Sequence, residues 1–457
     1  MMVTKKSSNN LCAEYPNIWN QFDKKKVFSF SKSYLDFIGN YKTERSRFQA
    51  IITSLKKEGF KDAASLKKAK EGDKLFFANK NKTLFAFVVG KKVSDLRFIG
   101  LHLDSPRIDL KPCPLFEDSE FALFHSHHYG GIKRYNWVNT PLSLHGVVST
   151  PSKTITISLG EGDDEPKFII PDLLVHLSKN QMERKGNKIV EAEEMKILVG
   201  SIPLEDKKLS NKIKQAVLLH LKNKYAISEK DFVSAELQFV PATKPFNIGF
   251  DESLIGAYGQ DDGVCVYTAL RGFLAAKKST HTKAVVFFDK EEVGSRGDVG
   301  ADSMLLRNFA RQYSVLTNTN PDDFLWHSKG VVGDVGAGVN PLYKDVHDPF
   351  NAPFLGKGPV IYKYKGMGGK YYTNDASAEY VGFIRSIFEK NKIPWQTAES
   401  GRIELSGGGT IADKLSSFGM DIIDVGPAVL AMHSPCEVIS KVDVYACFLF
   451  YKAFLSD

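Results

Sequence analysis

The chain has 457 residues, 43% of them hydrophobic and 25% charged, which is ordinary for a globular protein of one large or two medium domains with a sizeable core. The formal net charge of +8 comes from scattered lysines such as Lys24-Lys25-Lys26, Lys207-Lys208 and Lys277-Lys278. No arginine-rich strip with interleaved aromatics accompanies it, so no nucleic-acid partner is expected.

The first ten residues carry Lys5 and Lys6 without an apolar stretch behind them, unlike a secretory signal. No apolar run approaches the ~18 residues of a membrane span, so no membrane partner is expected. The five cysteines (Cys12, Cys113, Cys265, Cys436 and Cys447) are odd in number and form no Cys-x-x-Cys pair. A disulfide framework is therefore not expected, and a reducing, cytoplasmic setting is.

In chain order, residues 30–58 read as two helical pieces. Tyr34, Leu35 and Ile38 mark the first, and Gly39-Asn40 stops it. Phe48, Ile51, Ile52 and Leu55 fall on one side of the second. Residues 76–90 and 96–101 read as strands, and the latter runs into His102-Leu103-Asp104. From 113 to 243 the pattern becomes strand-rich, with segments such as 142–148 and 154–159, turns such as 160–164, and one helix near 211–225. After 243, strands alternate with helices, the pattern of a doubly wound α/β sheet. Asp261 opens a helix, 284–288 is a short buried strand, and 376–390 and 437–455 read as helices. The expected fold is α/β, a doubly wound mixed sheet with helices on both faces, formed by 1–112 and 244–457. A β-rich inserted domain at 113–243 interrupts it.

Five acidic or histidine-bearing segments fall where apolar runs end: His102-Leu103-Asp104, Asp261-Asp262, Glu291-Glu292, Asp334 and His433. In an open α/β sheet, ligands bind beyond the carboxyl ends of the strands. His102 and Asp104 share a face of an extended backbone, which suits a metal ligand and the carboxylate that orients it. Asp261-Asp262 alone reads equally well as a helix cap. Asp334 sits among glycines that permit close backbone approach. His433 alone reads as a core histidine. Zinc takes histidine nitrogen and carboxylate oxygen, and a two-metal site needs one shared carboxylate with about two further ligands per ion. His102, Asp261 and Asp334 meet that count for one ion, and Asp261, Glu292 and His433 for the other. Glu291 is left over as a base and Asp104 as an orienter.

The histidine cluster His125, His127 and His128 lacks an acidic partner at ligand spacing and reads as structural or as a loop contact. No Gly-x-Ser-x-Gly elbow, Walker loop or dinucleotide fingerprint occurs. Gly407-Gly408-Gly409-Thr410 precedes a helix, so its amides could face a substrate anion or carbonyl.

The segments 100–106 (Gly-Leu-His-Leu-Asp-Ser-Pro), 291–295 (Glu-Glu-Val-Gly-Ser), 358–361 (Gly-Pro-Val-Ile) and 431–434 (Ala-Met-His-Ser) resemble the metallo-aminopeptidase family that includes aspartyl aminopeptidase and aminopeptidase I. The resemblance runs over most of the chain. It implies a zinc-peptidase domain interrupted by a β-rich dimerisation insert, and two zinc ions per subunit, with manganese or cobalt able to substitute. It repeats the two ligand sets above, with Glu291 as general base and Asp104 orienting His102. It adds Gly409 and Thr410 as a substrate-contacting turn and a basic residue, here Lys370, from the 363–370 loop. The implied reaction is hydrolysis of the N-terminal residue from peptides with a free N-terminus by a metal-activated water. The implied assembly is a homo-oligomer built from dimers, in the family a dodecamer. Acid-preferring members carry a histidine after the proline of a segment that reads Ile169-Ile170-Pro171-Asp172-Leu173 here, and their basic residue is offset from the lysines of this loop. The ligand set alone also fits a two-zinc amidohydrolase of deacylase or carboxypeptidase type, or a catalytically silent assembly protein of the same fold.

Overall fold

The computed structural model describes residues 13–399, 401–405 and 407–457; the basic start at 1–10 and Cys12 lie outside them. Three sheets organise these residues. The largest has nine strands. At its centre four strands run parallel in the order His281–Phe288, Lys92–His102, Lys329–Val332, Asp421–Gly426. Thr83–Val88 on one side and Val360–Tyr362 on the other run antiparallel to them, so the sheet is mixed. The central strands read as continuous apolar runs because both faces are covered. Helices Lys24–Asn40, Glu44–Lys57, Gln260–Ala275, Ala378–Lys390 and Lys441–Phe454 pack on one face around Ile51, Leu101, Val285, Ile423 and Phe450. Leu305–Thr317, Pro321–Trp326 and Ile411–Ser416 pack on the other around Phe98, Val286, Phe309 and Leu415. This is the expected α/β layering.

A six-stranded sheet grows directly out of the first. Five residues after His102 ends its strand, Arg107 begins Arg107–Asp118, which pairs antiparallel with Phe121–Tyr129. Leu142–Ser149, Thr154–Leu159, Lys196–Gly200 and Ala235–Pro241 complete this sheet around Trp137, Phe124 and Phe239, with helix Lys212–Tyr225 against it. A third, five-stranded sheet combines Phe246–Ile248, Leu254–Ala257, Glu437–Ser440, Ala428–Leu430 and Gly336–Ala337.

Two local expectations change. Residues 437–440 are a strand, and the last helix begins at Lys441. Pairing with Leu254–Ala257 and Val429–Leu430 wins over local spacing, in keeping with the β-branched Val438 and Ile439. Asp261 does not open a regular helical turn: it has φ −82° and ψ 107°, and Asp262 is also non-helical. Neither carboxylate caps the helix, so capping does not account for the pair. Among the described residues the four cysteines Cys113, Cys265, Cys436 and Cys447 are free, and no helix is long and apolar enough to cross a membrane.

Candidate metal centre

The three parallel strands ending at Phe288, His102 and Val332 are neighbours, so His102, Glu291-Glu292 and Asp334 emerge side by side at one edge of the large sheet. The small sheet supplies the rest. Asp261 follows its Leu254–Ala257 strand, and His433 lies in the connection between its antiparallel strands Ala428–Leu430 and Glu437–Ser440. His433 itself has φ 66°, a left-handed conformation uncommon for a non-glycine residue and concentrated at functional sites.

All five segments singled out in the sequence thus converge. Possible ligand atoms of His102, Asp261, Asp262 and Asp334 lie within 4.8 Å of one another, as do those of Asp261, Glu292 and His433, and those of His102, Glu291 and Glu292. Asp261 joins the two halves. Its Oδ1 lies 3.2 Å from His102 Nε2 and its Oδ2 3.2 Å from His433 Nε2. Glu292 Oε2 is 3.4 Å from the same His433 nitrogen.

The remote side of each imidazole is anchored. His102 Nδ1 lies 3.1 Å from the main-chain carbonyl oxygen of Asp104 and 3.4 Å from its Oδ1, so Asp104 orients the ring through both groups. His433 Nδ1 lies 2.8 Å from the carbonyl oxygen of Gly131. Both contacts favour the tautomer whose Nε2 presents a lone pair to the centre.

The electrostatics call for positive charge. Burial, followed by neighbouring carboxylates, pushes Glu292 and Asp262 well above the carboxylate range and Glu291 to about 8. Burial disfavours a charged His433, but its hydrogen bond to Asp261 and the charges of Glu292 and Asp261 hold it at about 11. Protons are thus recruited to neutralise a buried acidic cluster, which is also what divalent cations do. Several of these buried atoms have no hydrogen-bond partner: His102 Nε2, both oxygens of Asp262, and Glu292 Oε1. Buried polar atoms are seldom left so. Two imidazoles and carboxylate oxygens with open lone pairs are the donor set zinc takes, so these residues fit the ion the sequence implied.

The other sequence candidates lie differently. Thr410 caps Ile411–Ser416, and its hydroxyl donates to Asp424 at 2.7 Å, which leaves main chain as the part of the Gly409-Thr410 turn open to a ligand. A Cβ on Gly409 would sit 2.9 Å from the Tyr372 carbonyl oxygen. Lys370 is exposed, paired with Asp375 at 3.0 Å and placed over the Tyr364 ring. None of these three is in the ligand cluster. His125 stacks on Phe116 at 4.1 Å, a packing role.

Three contributors were not singled out from sequence. Glu437 accepts from His433 N–H at 2.7 Å and from Asp261 N–H at 3.1 Å, fixing both segments of one half-site. Lys365 is buried with Nζ 3.7 Å from Asp334 Oδ1 and donates to the Val335 carbonyl at 2.7 Å. Tyr129 donates to Asp104 Oδ2 at 2.9 Å. Asp262, singled out with Asp261 but left out of the expected ligand sets, also joins the His102 cluster.

The family model described as aminopeptidase I zinc metalloprotease (M18) matches residues 37–455. A probable M18 family aminopeptidase 1 of Borreliella afzelii is 43% identical over 446 residues, covering 95% of this chain and 97% of that protein. The crystal structure of the M18 family aminopeptidase of Thermotoga maritima superposes with a TM-score of 0.94 at 40% identity, covering 97% of this chain and all of that one. Aminopeptidase I of Clostridium acetobutylicum gives a TM-score of 0.91 at 40% identity over 98% of this chain and all of that one. By these matches along nearly its whole length, this chain belongs to the M18 family of aminopeptidase I zinc metalloproteases and is a metallo-aminopeptidase.

Proposed function

We propose that the protein is a dinuclear zinc aminopeptidase that hydrolyses the N-terminal residue from peptides with a free N-terminus. The observation that carries this reading is the bridging placement of Asp261, with one oxygen toward His102 and the other toward His433. His102, Asp261 and Asp334 would hold one ion, and Asp261, Glu292 and His433 the other, with manganese or cobalt able to replace zinc. Ions bound there would supply Lewis acidity toward the scissile carbonyl, a lower pKa for water and an anchor for the substrate's free amine.

The chain's own groups then divide the work. Glu291 accepts the proton of the attacking water and delivers it to the leaving amine. In the metal-free chain its carboxyl is held up by burial and the neighbouring Asp334, Asp104 and Asp261. Asp104 fixes the Glu291 and Glu292 backbones and the His102 ring together. Main-chain groups of Gly409 and Thr410, together with Lys370, serve as substrate contacts.

The strand-rich unit at 113–243 serves as the dimerisation insert of a homo-oligomer built from dimers, up to a dodecamer. Exposed Leu173, Leu174, Val175 and Leu177 give it an apolar patch suited to a subunit contact. The free thiols suit a reducing cytoplasmic setting. Metal analysis of protein purified without chelator tests the dinuclear reading: two zinc ions per chain are expected, and saturation at one overturns it.

A further inference from the structure

We infer that Tyr129, Gly130 and Gly131, at the inner end of the six-stranded sheet, form one clamp that positions both histidine ligands of the metal centre. The inference rests on the dinuclear reading above. Strand Arg107–Asp118 leaves the site just after Asp104, and its hairpin partner Phe121–Tyr129 returns to it, with Arg107 opposite Tyr129. Three successive residues then each meet the centre.

Tyr129 comes first. Its hydroxyl donates to Asp104 Oδ2 at 2.9 Å. The same carboxylate accepts from the backbone N–H groups of Glu291 and Glu292 and sits beside His102 Nδ1. The phenol ring is held in place, because the Arg107 guanidinium lies 3.7 Å over it and is itself fixed by Asp109 at 2.8 Å. Gly130 follows at φ 76°, the left-handed region that favours glycine, and a Cβ there would touch Glu292 Cβ at 3.4 Å. Gly131 completes the segment, its carbonyl accepting from His433 Nδ1 at 2.8 Å.

The division of contacts is specific. The Tyr129 hydroxyl acts through Asp104, which faces the His102 ring and also holds the Glu292 backbone, and the Gly131 carbonyl acts on His433 directly. Partners of metal-bound histidines typically govern 10–100-fold in metal affinity. The second sheet therefore supplies orienting groups to both ions, and a shift at its inner edge reaches each.

Cobalt titration of the chelator-treated, refilled full-length protein tests this, read by visible d–d absorption and by competition with a chromogenic chelator. Wild type is expected to take two ions. Tyr129→Phe keeps the ring under Arg107 and removes the hydroxyl; it is expected to weaken the ion on the His102 side by about 10–100-fold and alter its absorption band, with a smaller effect on the other ion, which Asp104 reaches only through the Glu292 N–H. Gly130→Ala puts an L side chain at φ 76°, and the strain next to Gly131 is expected to weaken the ion on the His433 side more than the other. A merely structural Tyr129 would lower the melting temperature and leave both affinities at wild-type values, which overturns the inference. Equal weakening of both ions in Tyr129→Phe overturns the assignment to the His102 half. Wild-type affinity for both ions in Gly130→Ala overturns the Gly131 half even if the Tyr129 variant does not fold. Wild-type protein that takes fewer than two ions overturns the dinuclear reading, and the clamp with it.

Discussion

Glu291 donates its backbone N–H to Asp104 Oδ1 at 3.1 Å, and the next residue, Glu292, donates to Oδ2 of the same carboxylate at 3.1 Å. The proposed base and a proposed ligand therefore share one anchor. That anchor also faces His102 Nδ1, so proton handling and ligand geometry are set by a single side chain.

Replacing Glu291 by Gln keeps the shape and removes the basic oxygen. Turnover on a dipeptide should fall by about 10²-fold or more, the scale of a positioned acid–base group, with metal content unchanged. Steady-state kinetics with metal analysis on the same sample checks both; near-normal turnover would show that the proton goes elsewhere.

Asp104→Asn should act on metal binding. Asp104 accepts from two backbone N–H groups and the Tyr129 hydroxyl, and an amide must turn its NH2 toward at least one donor. Affinity for the His102-side ion should drop about 10–100-fold, measured by chelator competition.

How far the centre could be read from sequence depends on the separation of its parts. His102, Asp261, Glu291-Glu292, Asp334 and His433 stood out because each follows an apolar run, where α/β folds place ligands. Their supporting groups did not. Gly131 and His433 are 302 positions apart, and Asp261 and Glu437 are 176 apart. No local pattern links such pairs. Glu437 was hidden further because its strand reads as the first turn of the helix behind it, and only pairing across the small sheet decides otherwise. Lys365 lies in a lysine-rich loop whose spacing does not tell which amine turns inward; Lys370 was the expected contact there, but Lys365 is the buried one.

Lys365 carries a prediction of its own. Burial disfavours its charge, but Asp334 and Asp424 outweigh that and keep it protonated. Lys365→Met leaves both carboxylates without their cation, which should destabilise the metal-free protein by about 3–5 kcal/mol. Bound metal replaces part of the lost charge, so the melting temperature should fall more in metal-free than in metal-loaded protein. Equal falls would show that Lys365 and the metal do not share Asp334.

A pH dependence is expected where the first two helices meet the six-stranded sheet. Burial raises the Glu161 carboxyl, but hydrogen bonds from His145, Lys42 and Ser143 at 2.8, 2.8 and 2.6 Å, with the Lys42 charge, pull it down to about 2. A carboxylate lowered by folding stabilises above its unfolded value of about 4.3 and loses that contribution as pH falls through its folded value. Glu161→Gln should be less stable than wild type at pH 7 by about 1–2 kcal/mol, allowing for solvent screening. The gap should close between pH ~4.3 and ~2 in denaturant titrations; a pH-independent gap would contradict the ion-paired role.

Release of the N-terminal residue from a panel of dipeptides, with and without a metal chelator, tests the central claim most directly. The account predicts release that the chelator abolishes and added zinc restores. Release unaffected by the chelator, or no release from any dipeptide by protein shown to hold two zinc ions, would contradict it.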